Sequence, residues 1–258
     1  MTMFREVSAQ EMGGESVSHI ATSVGNLRDL GGLATIDGRV IAPGCIFRSS
    51  HFAELASHDE PSIAALGFRT RVDLRGEQER SLAPNRWGSV NLREMHLPIE
   101  PRAMGSLRAH REAGTLDDGV VLTVMHEVYR RFVHQRAPVF SALLRLVQVP
   151  DNYPLVFHCT AGKDRTGFAA ALLLLALDVP RSTIIDDFLR SNGRWKMNAP
   201  SQDLTLLAQV RAEYLETSFA EMAAGWGSVD AYLAQELGLD RVARDRLASH
   251  LLIPAPRA

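Results

Sequence analysis

The run His158-Cys159-Thr160-Ala161-Gly162-Lys163-Asp164-Arg165-Thr166-Gly167 constrains the fold of this chain more than any other stretch, because of what flanks it. Before it, Tyr153 to Phe157 is a short apolar run of the kind a buried strand uses; after it, Phe168 to Leu177 is rich in helix formers. The decapeptide is therefore predicted to turn a strand into a helix, with Cys159 at the junction. The first N–H groups of a helix lack intrahelical partners and carry partial positive charge, so such a turn is an anion site. Ala161 and Gly162 are small enough to let the backbone curl with successive N–H groups inward, Arg165 offers a planar fork to two oxygens, and Lys163 adds a point charge. That field favours a thiolate over a thiol, which makes Cys159 nucleophilic at neutral pH.

A Cys and an Arg at this spacing occur by chance, so the context carries the reading: strand before, helix after, two glycines, two cations and a hydroxyl directly after the Arg. With 258 residues, 46% hydrophobic and 22% charged, the chain is long enough for a substantial core. One globular domain is expected over 19–258, preceded by a flexible N-terminal stretch, 1–18. The net charge of -2, with cations scattered among carboxylates, argues against a nucleic-acid partner. Cys45 and Cys159 are too few for a multi-cysteine metal site or a disulfide framework, so no metal or other cofactor is expected and a reducing, cytoplasmic setting is. No secretory signal is visible at the N-terminus, although export by another route stays open. Phe168 to Leu177 is too short to cross a bilayer, so no integral membrane segment is predicted.

Elsewhere, residues 38–41 and 45–48 read as short strands around Ala42-Pro43-Gly44, both on one side of the sheet. Pro61 to Leu66 suits a short helix stopped by Gly67, followed by a strand over 70–75, and 90–99 holds a further strand. Val124, Met125, Val128 and Phe132 fall at helical spacing, Pro138 breaks the run, and Val139, Ala142, Leu143 and Leu146 resume it. Helices are predicted over 182–189, 204–215, 228–237 and 240–251, with Ser228 and Asp240 as caps. Strands and helices interleave early and helices dominate late. The expected architecture is a three-layer α/β fold, its central, mostly parallel sheet presenting the loop at a strand's C-terminal end. Residues 101–119 show little periodicity and read as a loop.

The loop resembles that of cysteine-dependent phosphatases, and within them the bacterial tyrosine-phosphatase-like family whose loop carries Lys-Asp-Arg-Thr-Gly. Further matching segments are Asn26 to Gly32, Phe47-Arg48-Ser49, Val72-Asp73-Leu74-Arg75, Ile184 to Asn192 and Val229 to Leu233 followed by Leu237-Gly238. The resemblance implies a phosphatase-like fold with a helical lid, so that residues of about 101 to 135 border the pocket, where an ordinary surface loop is the alternative. It also implies a supporting contact from Asp73.

The chemistry expected is attack of Cys159 on phosphorus, with Arg165 and the loop segment Thr160, Ala161, Gly162 and Lys163 holding the phosphate, and hydrolysis of a phosphocysteine by water. Thr166 is read as donating its hydroxyl to the sulfur, or as capping the helix. Asp164, inside the loop, is the first candidate for general acid and Asp73 the second; the resembling group also implicates the loop Asp. Asp73, near its strand end, is otherwise expected to anchor Arg165 or Lys163. Arg48 and Arg75 are read either as substrate-anion ligands or as structural arginines paired with carboxylates, His158 as orienting the loop, and Cys45 as a small buried apolar residue. Phosphotyrosyl proteins are the first substrate class and phosphoinositides the second. A phosphoinositide-first enzyme and a non-catalytic phosphate-binding module are the alternatives, and the oligomeric state is open.

Overall fold

The computed structural model describes residues 23–88, 91–101, 103–193 and 205–256; the expected flexible stretch 1–18 lies outside them. The first half alternates short strands and helices: β1 (Arg28–Asp29), β2 (Arg39–Ile41), β3 (Ile46–Ser49), α1 (Glu60–Ala65), β4 (Thr70–Asp73), α2 (Glu77–Leu82) and β5 (Arg93–His96). Three helices, α3 (Ala103–Glu112), α4 (Asp118–Gln135) and α5 (Ala137–Val147), lead to β6 (Leu155–His158) and α6 (Asp164–Ala176). The chain continues as α7 (Arg181–Leu189), α8 (Thr205–Ala208), α9 (Ala212–Trp226), α10 (Val229–Gln235), α11 (Arg241–Leu251) and β7 (Leu252–Pro254).

The main sheet has the order β1-β3-β6-β4-β5. Its central strand, β6, runs parallel to β3 and β4, β5 is parallel to β4, and β1 alone is antiparallel. Alternation along a strand sends neighbouring residues to opposite faces. Ile46, Val72, Leu155 and Phe157 join a large core that includes the apolar positions of α4 to α7 and α9 to α11, whereas Phe47 and Val156 join a smaller cluster with Phe52, Ile63, Phe68 and Trp87. The three layers are thus unequal, with a thick helical side and a thin one capped by α1.

Most predicted elements form within a residue or two; β1 and α2 form where no element was predicted, and four of the predictions are corrected. Strand β2 lies outside the main sheet and pairs antiparallel with β7, joining an early segment to the C-terminal strand in a separate ribbon. Residues 103–112, read as loop, are the helix α3, which buries Leu107 in the core; a largely polar segment of this kind leaves little periodic signal. Pro138 lies in the first turn of α5, where proline fits, so the break falls at Arg136. The helix expected over 204–215 is two: α8, then α9 running on to Trp226 and ending at Gly227 in the left-handed region, φ 82°. No helix among the described residues is long and apolar enough to cross a membrane.

Candidate active site

Strand β6 ends at His158, and the chain then curls from Cys159 to Lys163 before α6 begins at Asp164. Helix α6 is apolar almost all round and buried along nearly its whole length, so its N-terminus is fixed beneath the loop. Among the described residues, no backbone N–H from Thr160 to Arg165 donates a hydrogen bond. The loop carbonyls are turned the other way: Thr160 O accepts from His51 N at 3.2 Å, and Gly162 O accepts from Asn26 Nδ2 at 2.7 Å and Arg48 Nη2 at 3.0 Å. Pinning the carbonyls outside leaves the amides as a positive nest. Gly162 is required here, since its φ is +68° and a Cβ would lie 2.4 Å from the Ser49 carbonyl carbon and oxygen.

Arg165 is held in place by Glu79 of α2: Nη1 donates to Oε2 at 2.6 Å and Nη2 to Oε1 at 2.7 Å, while Nη1 also donates to Ile99 O at 3.0 Å. Its Nε–H and the second hydrogen of Nη2 take no partner among the described residues, which leaves one fork of the guanidinium for two oxygens of a ligand. Burial works against the charge on Arg165, but the Glu79 contacts outweigh it and raise the pKa. Burial also pushes the Glu79 carboxyl up, and Arg165 and the Thr160 hydroxyl bring it below its ordinary value. Glu79 itself is fixed by the Gly76 N–H, 3.0 Å from Oε2.

Lys163 Nζ donates to Asp164 Oδ2 at 2.6 Å, and Tyr129 Oη donates to Asp164 Oδ1 at 3.1 Å. Cys159, Asp164 and Arg165 lie at the floor of a cavity of about 670 Å³. Its walls come from α3 and α4, through Leu107, Val124, Met125, Val128 and Phe132, so residues 101–135 do border the pocket. The floor is polar and charged, and the walls are mainly apolar.

Several residues singled out in the sequence take other places. Asp73 anchors neither Arg165 nor Lys163: it chelates Arg75, with Oδ2 2.7 Å from Nη2 and Oδ1 3.0 Å from Nε, because the two side chains meet at the end of β4. Burial alone would raise the Asp73 carboxyl, but the neighbouring His158 ring, 3.8 Å away, and the Arg75 guanidinium hold it well below the usual range. Arg75 and Arg48 are fully buried, each paired with a carboxylate, and neither is among the residues that line the cavity. Arg48 shares Asp187 with Arg28, at 2.6 and 2.7 Å, behind the loop. Desolvation disfavours ionised Asp187, yet the two guanidiniums hold its pKa down at about 2, while burial lowers Arg48 to about 10. The Thr166 hydroxyl is buried without a hydrogen bond, so neither the donation to Cys159 sulfur nor the helix cap is formed in this state.

His158 lies on the opposite face of β6, edge-on to Phe52, with Nδ1 3.1 Å from Cys159 O and Nε2 3.3 Å from Asn85 Nδ2. The Asn85 amide donates to Nε2, which puts the proton on Nδ1 and lets it bind the Cys159 carbonyl. Burial lowers its pKa to about 4. Cys45 is half-buried against the core. Sequence reasoning gave no site role to Glu79, Tyr129, Asn26 or Arg28; Asn26 and Arg28 lay in a segment that matched the family, and Glu79 had a local signal in its capping position after Gly76.

The family model described as the tyrosine phosphatase family matches residues 20–253. The chain belongs to the tyrosine phosphatase family. A Cupriavidus necator protein named "Putative tyrosine-protein phosphatase" is 35% identical over 239 residues, covering 84% of this chain and 83% of that one. The Mycobacterium tuberculosis "Triple specificity protein phosphatase PtpB" is 27% identical over 273 residues, covering 88% and 96%. The solved structure of Pseudomonas aeruginosa TpbA in complex with pTyr aligns at a TM-score of 0.36 and 14% identity over 71% of this chain and 90% of that one. As a member of this family, the chain is a hydrolase of the protein-tyrosine-phosphatase type.

Proposed function

We propose that this phosphatase cleaves phosphate monoesters through a phosphocysteine at Cys159, with phosphotyrosyl proteins as its first substrate class. The observation that carries this is the position of Cys159 in the lining of the cavity, within a loop of unpartnered amides that also bears the open fork of Arg165. In the first step the Cys159 thiolate attacks phosphorus, the S–P bond forms, the P–O bond to the leaving group breaks, and Asp164 gives its proton to the departing oxygen. Thr160 to Arg165 hold the equatorial oxygens throughout. In the second step Asp164 takes a proton from water, the water oxygen attacks phosphorus, the S–P bond breaks, and thiolate and inorganic phosphate result.

The apolar side chains of the cavity wall, Leu107, Val124, Met125, Val128 and Phe132, support an aryl ester, whose ring would bury apolar surface against them. The two loop cations each have a carboxylate partner, Lys163 with Asp164 and Arg165 with Glu79, while Arg131 and Arg136 also line the cavity, and phosphoinositides stand as the second substrate class. The test is hydrolysis of an aryl phosphate in the presence of chelator. Cys159→Ser should abolish turnover, and Asp164→Ala should lower kcat by about a hundredfold or more. Turnover that survives Cys159→Ser refutes the mechanism.

A further inference from the structure

Tyr129 is a fully buried tyrosine on α4 whose hydroxyl reaches the acid candidate from outside the cavity. Its ring is fixed on several sides, with centroids 5.2 Å from Phe132, 6.3 Å from Phe168, 6.1 Å from Phe188 and 5.3 Å from Tyr214. A ring held in that way has one place to put its hydroxyl, and it puts it 3.1 Å from Asp164 Oδ1. The other carboxylate oxygen, Oδ2, takes Lys163 at 2.6 Å. Asp164 lines the cavity and Tyr129 does not, so the tyrosine acts on a substrate only through the carboxylate.

The two donors differ in what a substrate does to them. Lys163 lines the cavity and is attracted by an incoming phosphate dianion, whereas Tyr129 sits behind Asp164 in an aromatic cage and stays. From this asymmetry we infer that Tyr129 is a positioning residue for the acid: it occupies Oδ1 and thereby makes Oδ2 the oxygen that carries the transferable proton toward the leaving group. Burial, followed by the Asp164 charge, pushes the Tyr129 hydroxyl well above its ordinary value, so it remains a donor throughout the cycle and does not itself release a proton. The ionisable groups around the pair include Lys163 from the loop, Arg165 from α6, Arg48 from β3 and Tyr214 from α9.

This inference rests on the reading of Asp164 as general acid, and the experiment separates the two. Activity is measured for the parent, Tyr129→Phe, Asp164→Ala and the double variant, on an aryl phosphate with a poor phenolate leaving group and on one with a highly activated leaving group. Tyr129→Phe keeps the ring packing and removes only the hydroxyl. Its expected effect is a loss of about tenfold in kcat/KM, which reports the steps up to P–O cleavage, on the poor leaving group, less than about twofold on the activated one, and less than about twofold further loss when added to Asp164→Ala. A loss that is equal for both esters, or that adds in full to Asp164→Ala, marks a merely structural tyrosine and overturns the proposal. If Asp164→Ala shows no dependence on leaving group, the acid reading falls and the proposal falls with it. If Asp164→Ala shows that dependence and Tyr129→Phe does not, only the positioning role is lost.

Discussion

Replacing Glu79 by Gln tests how the phosphate-binding arginine is aimed. The carboxylate receives two charge-assisted hydrogen bonds from Arg165, at 2.6 and 2.7 Å, from side chains about 20% and 11% exposed. Gln keeps the shape and one acceptor, but loses the charge and turns the second acceptor into a donor facing a guanidinium. A hydrogen bond to a charged group contributes about 1.5 to 3 kcal/mol, and partial exposure places this one toward the lower end. A loss of about 2 kcal/mol in transition-state binding corresponds to a fall of about thirtyfold in kcat/KM. The assay is steady-state hydrolysis of an aryl phosphate, with Asp73→Asn measured in parallel on protein shown to be folded by its thermal transition. Asp73 binds Arg75 and not Arg165, so Asp73→Asn should change kcat/KM by less than about threefold. The reasoning is refuted if Glu79→Gln stays within about threefold of the parent, or if Asp73→Asn costs as much.

Two further outcomes follow from the loop and its strand. Gly162→Ala places a Cβ into the Ser49 carbonyl at a left-handed φ, so it should lower the thermal midpoint and reduce kcat/KM by about a hundredfold or more; a variant with parent-like activity contradicts the loop geometry. His158 has a pKa lowered to about 4 by burial, so between about pH 6.5 and pH 4 the unfolded chain binds a proton that the folded chain does not. Stability should therefore fall as pH falls through that window, by up to about 3 kcal/mol, and urea titrations should show a flatter slope there in His158→Asn; equal slopes contradict the assignment.

The parts of the site that sequence revealed are contiguous, and those it hid are brought in by the fold. Cys159 to Thr166 could be read together because strand, loop and helix follow one another without interruption, and each flank has its own periodicity. Glu79 was invisible as the partner of Arg165 because that pairing spans 86 positions and α2 buries no apolar residue to announce itself. Asp73, which looked better placed, is taken by the nearer Arg75 two residues on. Tyr129 read only as a helix residue, since its hydroxyl contact depends on how α4 packs across α6 and α9. The ribbon of β2 with β7 likewise joins segments more than two hundred residues apart, which no local pattern encodes.

The central claim is that phosphorus passes through the Cys159 sulfur, and the most direct measurement is capture of that intermediate. Protein mixed briefly with an aryl phosphate and quenched in acid is digested and analysed by mass spectrometry. The account predicts one added phosphoryl group on the peptide that contains Cys159, accumulating in Asp164→Ala when an activated ester supplies it, since loss of the base slows the second step more than the first. Turnover with no phosphoryl group on Cys159 at any quench time, or with the label on another residue, would contradict it.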